Sequence, residues 1–155
     1  MATHQKFRDE DLLTLDDLHV GQTFKTGAHQ LTAEEIIDFA GRYDPQPFHL
    51  SDEGAKNTLF GTLAASGWHT AAVSMRLMTE YYPILGGIIG SGGELTWPRP
   101  TRPGDTLHVE STILEIIPSR SKPDRGMIII ENRTLNQNGE VVQTFKVKQV
   151  VPRRV

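Results

Sequence analysis

The 155-residue chain contains no cysteine. That excludes a disulfide scaffold, a thiol nucleophile and cysteine-ligated zinc or iron–sulfur, although it does not fix the compartment. Long apolar runs are missing too. No stretch approaches the roughly 20 apolar residues a membrane span needs. The opening Met1 to Leu18 carries Arg8, Asp9, Glu10, Asp11, Asp16 and Asp17 where a secretory signal would have an apolar centre. A cytoplasmic protein with no membrane attachment is the expectation. Nor is there a basic excess: the formal net charge is −3, which argues against the concentrated positive face of a nucleic-acid binder. The six histidines show no paired ligand spacing, so no metal site is expected. The glycines between 86 and 93 follow no strand and open no helix with Lys-Ser or Lys-Thr. They read as a flexible connection, not a phosphate loop.

What remains is the composition of an ordinary globular domain, 37% hydrophobic and 23% charged. The length suits one domain with a real core and is too short for two. Residues 1–17 read as a loose or short helical lead-in and 18–155 as the domain. His19 to Thr26 alternates Val20, Gln22 and Phe24, the pattern of a short strand. A helix follows. Thr32 and Glu35 fit a capping box, Leu31 can staple onto Ile36, and Pro45 stops the helix at Asp44. Ser51 can cap a short helix over 52–57. The main helix is expected from Gly67 to Tyr82, ended by Pro83. Its interior, Ala71 to Met78, is apolar or small nearly all round and predicts burial on every side. Four β-rich runs come next, at 94–97, 106–117, 126–135 and 141–151, with a hairpin turn at Asn136-Gln137-Asn138-Gly139. Helices followed by a run of antiparallel strands describe an α+β domain, most simply one long buried helix against one sheet.

Chemistry concentrates in two segments. Tyr43-Asp44-Pro45-Gln46-Pro47-Phe48-His49-Leu50 holds a carboxylate and an imidazole in one proline-stiffened loop. Phe60-Gly61-Thr62-Leu63-Ala64-Ala65-Ser66-Gly67-Trp68 leads through small residues to a helix N-terminus able to hold an oxyanion. Acid/base chemistry beside an anion hole is what water addition to a thioester-conjugated double bond requires. Spacing alone does not join the pair. Five extended residues separate two side chains by roughly 16 Å, so convergence needs a turn. Without one, a capping aspartate and an exposed histidine fit as well. Gly67 equally fits a place that only needs close packing. His69, on another helix face from Gly67, reads as structural. Arg99, Arg102, Arg120, Lys122 and Arg125 read as solvated surface charge before phosphate contacts, and Trp97 as core packing.

At these residues the chain resembles the MaoC-type dehydratases, the (R)-specific enoyl-CoA hydratase group of hot-dog-fold proteins. Their motif Asp-x-Asn-Pro-Ile/Leu-His is matched by Asp44-Pro45-Gln46-Pro47-Phe48-His49. Their Phe-Gly segment and Ala-His-Gly-Met helix start are matched by Phe60-Gly61 and Ala65-Ser66-Gly67-Trp68. Trp97 to Leu107 resembles their Phe-x-x-Pro-Val-x-Pro-Gly-Asp-x-Leu segment. Gln46, Ser66 and Trp68 depart from the family's Asn, His and Met. The likeness spans roughly residues 18 to 152.

The resemblance implies an antiparallel sheet wrapped round a long central helix, and reversible hydration of a trans-2-enoyl thioester within fatty acid metabolism. Asp44 and His49 would be catalytic and the Gly67 N–H would form the oxyanion hole. Gln46, Phe60, Ser66 and Trp68 would line the substrate. It implies no cofactor, an acyl-CoA or acyl carrier protein thioester as partner, and a homodimer or higher even homo-oligomer. The rivals are an acyl-CoA thioesterase of the same fold, which would attack the carbonyl, and a non-catalytic acyl-CoA-binding subunit. Retention of Asp44, His49 and Gly67 together argues against the last.

Overall fold

The computed structural model describes residues 7–154. Short strands β1 (Thr23–Lys25) and β2 (His29–Gln30) precede helices α1 (Ala33–Tyr43), α2 (Asp52–Ala55) and α3 (Gly67–Tyr81). Strands β3 (Ile89–Thr96), β4 (Thr106–Pro118), β5 (Arg125–Leu135) and β6 (Val141–Pro152) complete the chain. The sheet runs in the order β1-β4-β5-β6-β3, antiparallel throughout, with β2 pairing separately to β4. Helix α3 packs on this sheet. Leu77 and Met78 join Val109, Ile113, Ile128, Ile130, Val147 and Val151 in one apolar cluster, and Val73 bridges to a second formed by Leu31, Ile36, Leu63, Leu107 and Val142. This is the hot-dog arrangement.

Local chemistry explains most boundaries. Thr32 Oγ1 accepts the Glu35 N–H at 3.1 Å, capping α1. Only half the capping box forms, because the Glu35 carboxylate turns to His29 Nε2 at 2.9 Å. Leu31 and Ile36 are both fully buried in the same cluster, as a staple requires. Ser51 Oγ caps α2 through the Gly54 N–H at 2.9 Å. The described part of the lead-in takes the short-helical form: 3-10 turns at Asp9–Asp11 and Leu15–Asp17, with Leu12, Leu15 and Leu18 buried. Arg153 and Arg154 clasp it from the far end of the chain through Asp16 and Asp17.

Three expectations need correction. Residues 89–93 belong to β3 and are not a loose connection: Ile89, Gly90, Gly92 and Gly93 pair with Val147 to Val150 of β6, with a bulge between Gly90 and Gly92. A side chain at Gly93 would collide with the Lys146 carbonyl, so glycine here permits the pairing that its composition disguises. Helix α3 is not covered all round, since Trp68, Ala72, Met75, Arg76 and Thr79 face solvent. The sheet covers one side only, where buried polar links fix the helix. Ser74 donates to the Thr70 carbonyl at 2.7 Å and meets Thr134 Oγ1 at 2.6 Å, while Thr70 donates to Thr101 Oγ1 at 3.0 Å. Trp97, finally, is not a core residue but is 40% exposed. No helix among the described residues is long and apolar enough to cross a membrane.

Candidate active site

Helix α1 stops at Tyr43, and Asp44 is held at its end by the N–H bond to the Ala40 carbonyl at 2.9 Å. Pro47, with its φ already near the helical value, opens a 3-10 turn over Pro47–His49. The His49 N–H closes that turn on the Gln46 carbonyl at 2.9 Å. The turn brings His49 back to Asp44, with Nε2 lying 3.3 Å from Asp44 Oδ2. Gly54 of α2 lies against the Pro47 carbonyl, too close for any side chain.

The second segment is laced to the first. The Ala64 N–H bonds the Phe48 carbonyl at 3.1 Å, and His49 Nδ1 meets the Ala64 carbonyl at 2.7 Å. The Leu63 N–H donates to Asp52 at 2.8 Å. Arg102 is not solvated surface charge. Its guanidinium donates to the Phe60 carbonyl at 2.8 Å and the Thr62 carbonyl at 2.9 Å, bracing the segment from β4's side. Arg99 and Arg125 are on the surface, ion-paired with Glu140 and Asp124.

The protonation pattern follows from the partners. A carbonyl only accepts, so His49 Nδ1 carries the hydrogen, and in the neutral ring Nε2 presents its lone pair toward Asp44. Asp44 is itself well supplied with donors. The Ser66 hydroxyl donates to Oδ2 at 2.7 Å and the Gln46 amide to Oδ1 at 2.6 Å. Burial raises its pKa, but the bonds from Ser66 and Gln46 and the charge of a protonated His49 outweigh that, so the carboxyl sits below its ordinary range. The pair is thus a carboxylate facing the Nε2 edge of the imidazole.

Ser66 also organises the start of α3. Its Oγ accepts the Trp68 N–H at 3.2 Å, and its carbonyl accepts from the N–H groups of His69 at 2.9 Å and Thr70 at 3.1 Å. The N–H of Gly67, first residue of the helix, has no partner among the described residues. One donor at the positive end of a fifteen-residue helix is thus left free. The Trp97 indole lies on Gly67, where a Cβ would stand 2.6 Å from Cε2.

The structure therefore gathers Asp44, His49, Gln46 and Ser66 directly, with Phe60 bordering His49 at 5.9 Å between ring centres. Ser66 is fully buried and reaches Asp44, not outward. Trp68 does not join them; it is exposed and its ring meets Trp97 edge-on at 5.3 Å. His69 stacks on Phe39 at 4.6 Å, away from the pair. The Ala64 carbonyl, which sets the histidine tautomer, has no side-chain signal in the sequence.

Comparison with known proteins identifies the family. The MaoC like domain model matches residues 17–128. A solved MaoC-like dehydratase from Rhodospirillum rubrum is 56% identical, superposes with a TM-score of 0.90, and the match covers 92% of this chain and 99% of that one. The uncharacterised Bacillus subtilis protein YdeM is 34% identical over 129 residues, 81% of this chain and 89% of that protein. A 3-hydroxybutyryl-CoA dehydratase from Methylorubrum extorquens is 31% identical over 112 residues, 72% of this chain and 70% of the relative. With its fold, its motif and its relatives in agreement, the chain belongs to the MaoC-like family of hydratases and dehydratases.

Proposed function

We propose that the protein adds water reversibly to a trans-2-enoyl thioester, giving a 3-hydroxyacyl thioester. The observation that carries this is the approach of Asp44 Oδ2 and His49 Nε2 to 3.3 Å, beside the free Gly67 N–H; with the ring neutral and its hydrogen on Nδ1, both atoms accept. Two acceptors facing each other suit a molecule with two donors. A water that donates to both keeps an oxygen lone pair for C3 of the enoyl group. As the new C–O bond forms, the C2–C3 π pair moves toward the carbonyl, and the thioester oxygen gains charge that the Gly67 N–H and the helix end stabilise. One of the two acceptors takes the water's proton as the C–O bond forms, and the Asp44–His49 pair returns that proton to C2, so that the water's OH and H are both accounted for. The named relative that catalyses the reverse sense on 3-hydroxybutyryl-CoA supports a coenzyme A thioester as substrate.

Purified protein incubated with crotonyl-CoA is expected to remove the enoyl absorbance without releasing free thiol. Thiol release at the same rate would favour a thioesterase; neither signal would favour a binding subunit.

Ser66→Ala tests the electrostatics. The donated bond favours the ionised carboxylate, so losing it raises the Asp44 pKa and protonates the residue at higher pH. The acid limb of kcat/KM against pH is expected to move upward, and the missing helix cap to cost about 1 kcal/mol of stability. An unmoved acid limb would mean that Asp44 is not the group titrating there.

We also assign a homodimer. Strand β3 forms a sheet edge, and it lies in a largely exposed surface with Ile89 and Trp68 at 54% and 60% exposure. Such an edge beside apolar surface is normally covered. Pairing two β3 edges about a two-fold axis would bury both. Light scattering is expected to give twice the chain mass of 17.3 kDa, and a monomer at micromolar concentration would refute it.

A further inference from the structure

The segment from Phe60 to Ala65 lies in no helix or strand, so its carbonyls have no ladder to satisfy them. Arg102 supplies the missing donors. Its Nη2 donates to the Phe60 carbonyl at 2.8 Å. Its Nη1 reaches the Thr62 carbonyl at 2.9 Å, the Thr62 hydroxyl at 3.0 Å and the Leu63 carbonyl at 3.4 Å. Among the described residues the guanidinium makes no ion pair, and its donors go to this strap of backbone. The next carbonyl along, that of Ala64, is the one that meets His49 Nδ1 at 2.7 Å.

Arg102 is itself held in place. Its N–H donates to Asp105 Oδ2 at 2.8 Å, and the Gln137 amide donates to Oδ1 of the same buried carboxylate at 2.9 Å. The neighbouring Thr101 carbonyl takes the Ala65 N–H at 2.9 Å. The loop before β4 therefore grips the strap on both sides of Ala64. An arginine's planar fork suits several carbonyls at once, where lysine offers a compact point charge.

What hangs on this grip is the histidine's tautomer. A neutral ring has one hydrogen, and two acceptors compete for it. The Ala64 carbonyl lies 2.7 Å from Nδ1, and Asp44 Oδ2 lies 3.3 Å from Nε2. The shorter contact keeps the hydrogen on Nδ1. Were the carbonyl to withdraw, the carboxylate would draw the hydrogen to Nε2, and the two side chains would bond each other instead of a water.

We propose that Arg102 is a positioning residue: by holding the Phe60, Thr62 and Leu63 carbonyls it keeps the Ala64 carbonyl on His49 Nδ1, and so keeps Nε2 free to accept from the water. This rests on the hydratase reading.

The test compares wild type, Arg102→Ala and Arg102→Lys, each well below its melting temperature. Nitrogen NMR of the His49 ring, at a pH where it is neutral, is read beside crotonyl-CoA kinetics. Wild type is expected to carry the hydrogen on Nδ1. Arg102→Ala should shift it toward Nε2 and lower kcat by about 10²-fold, the lower end of what an acid–base group contributes, with KM little changed. Arg102→Lys, which keeps the charge but not the fork, should fall between the two; where Arg102→Ala does not fold, it carries the same test. A merely structural role would lower the melting temperature and leave the tautomer as it is, and that result overturns the proposal. So does a wild type with its hydrogen on Nε2, or a shifted tautomer with unchanged kcat. A chain that folds in neither variant also overturns it, because the arginine then serves the fold and not the histidine. If wild type does not hydrate crotonyl-CoA, the hydratase reading fails instead. The hold of Arg102 on the histidine is then judged by the NMR alone: a shifted tautomer supports it and an unchanged one refutes it.

Discussion

Asp44→Asn is expected to lower crotonyl-CoA hydration by about 10²–10⁴-fold, the range usual for a general acid–base group. The asparagine side chain has the same size and can still meet the Gln46 amide that now bonds Asp44 Oδ1 at 2.6 Å. It cannot accept a proton, and its amide would turn a donor toward the water. The circular dichroism spectrum should be unchanged. His49→Ala should cost as much activity and more stability, because the ring packs between Phe48 and Phe60 at 4.6 and 5.9 Å; its rate is to be read well below its melting temperature. Since both side chains would hold one water, the double variant should be scarcely slower than either single one. Additive losses would mean that the two act on separate steps. Asp44→Asn working within a few-fold of wild type would remove the hydratase assignment altogether.

The residues that stop and start elements were legible without coordinates. Pro45 ends α1, Pro83 follows α3, Thr32 and Ser51 cap, and Asn136 to Gly139 turns β5 into β6. Each acts within a few residues of itself. What stayed hidden depends on partners far along the chain. Gly90 to Gly93 form a strand only because β6 supplies hydrogen bonds from residues more than fifty positions away. The exposed stripe of α3 includes Ala72 and Met75 as its buried stripe includes Ser74 and Met78, so composition does not separate the two faces and packing on the sheet does. At the site, the motif identified Asp44 and His49, yet their convergence depends on the turn at Pro47–His49, which two prolines allow but do not dictate. Ser66, read as a substrate contact, instead spans 22 residues to Asp44. Arg102, read as surface, braces carbonyls about forty residues upstream. Neither reach has a local signature.

Gly67→Ala is expected to reduce both stability and turnover, and the way they separate decides what the glycine does. The added Cβ would meet Trp97 at 2.6 Å from Cε2 and 2.7 Å from Cδ2. The indole cannot retreat freely, because its Nε1–H donates to buried Gln143 at 3.0 Å and Trp68 abuts its ring. The start of α3 must give way instead. Overpacking of this kind costs typically about 1–3 kcal/mol. If Gly67 is the proposed oxyanion donor, the same displacement would draw its N–H away from the thioester oxygen, and loss of one such donor costs about 10²–10³-fold in kcat. Alanine still carries that N–H, so a second change that clears the space, Trp97→Leu, should recover activity together with melting temperature. Were the glycine needed for packing alone, Gly67→Ala would melt earlier yet hydrate crotonyl-CoA within a few-fold of wild type at a temperature where it is folded. That outcome would leave the N–H without a part in the chemistry and move the search for the oxyanion donor elsewhere in the site.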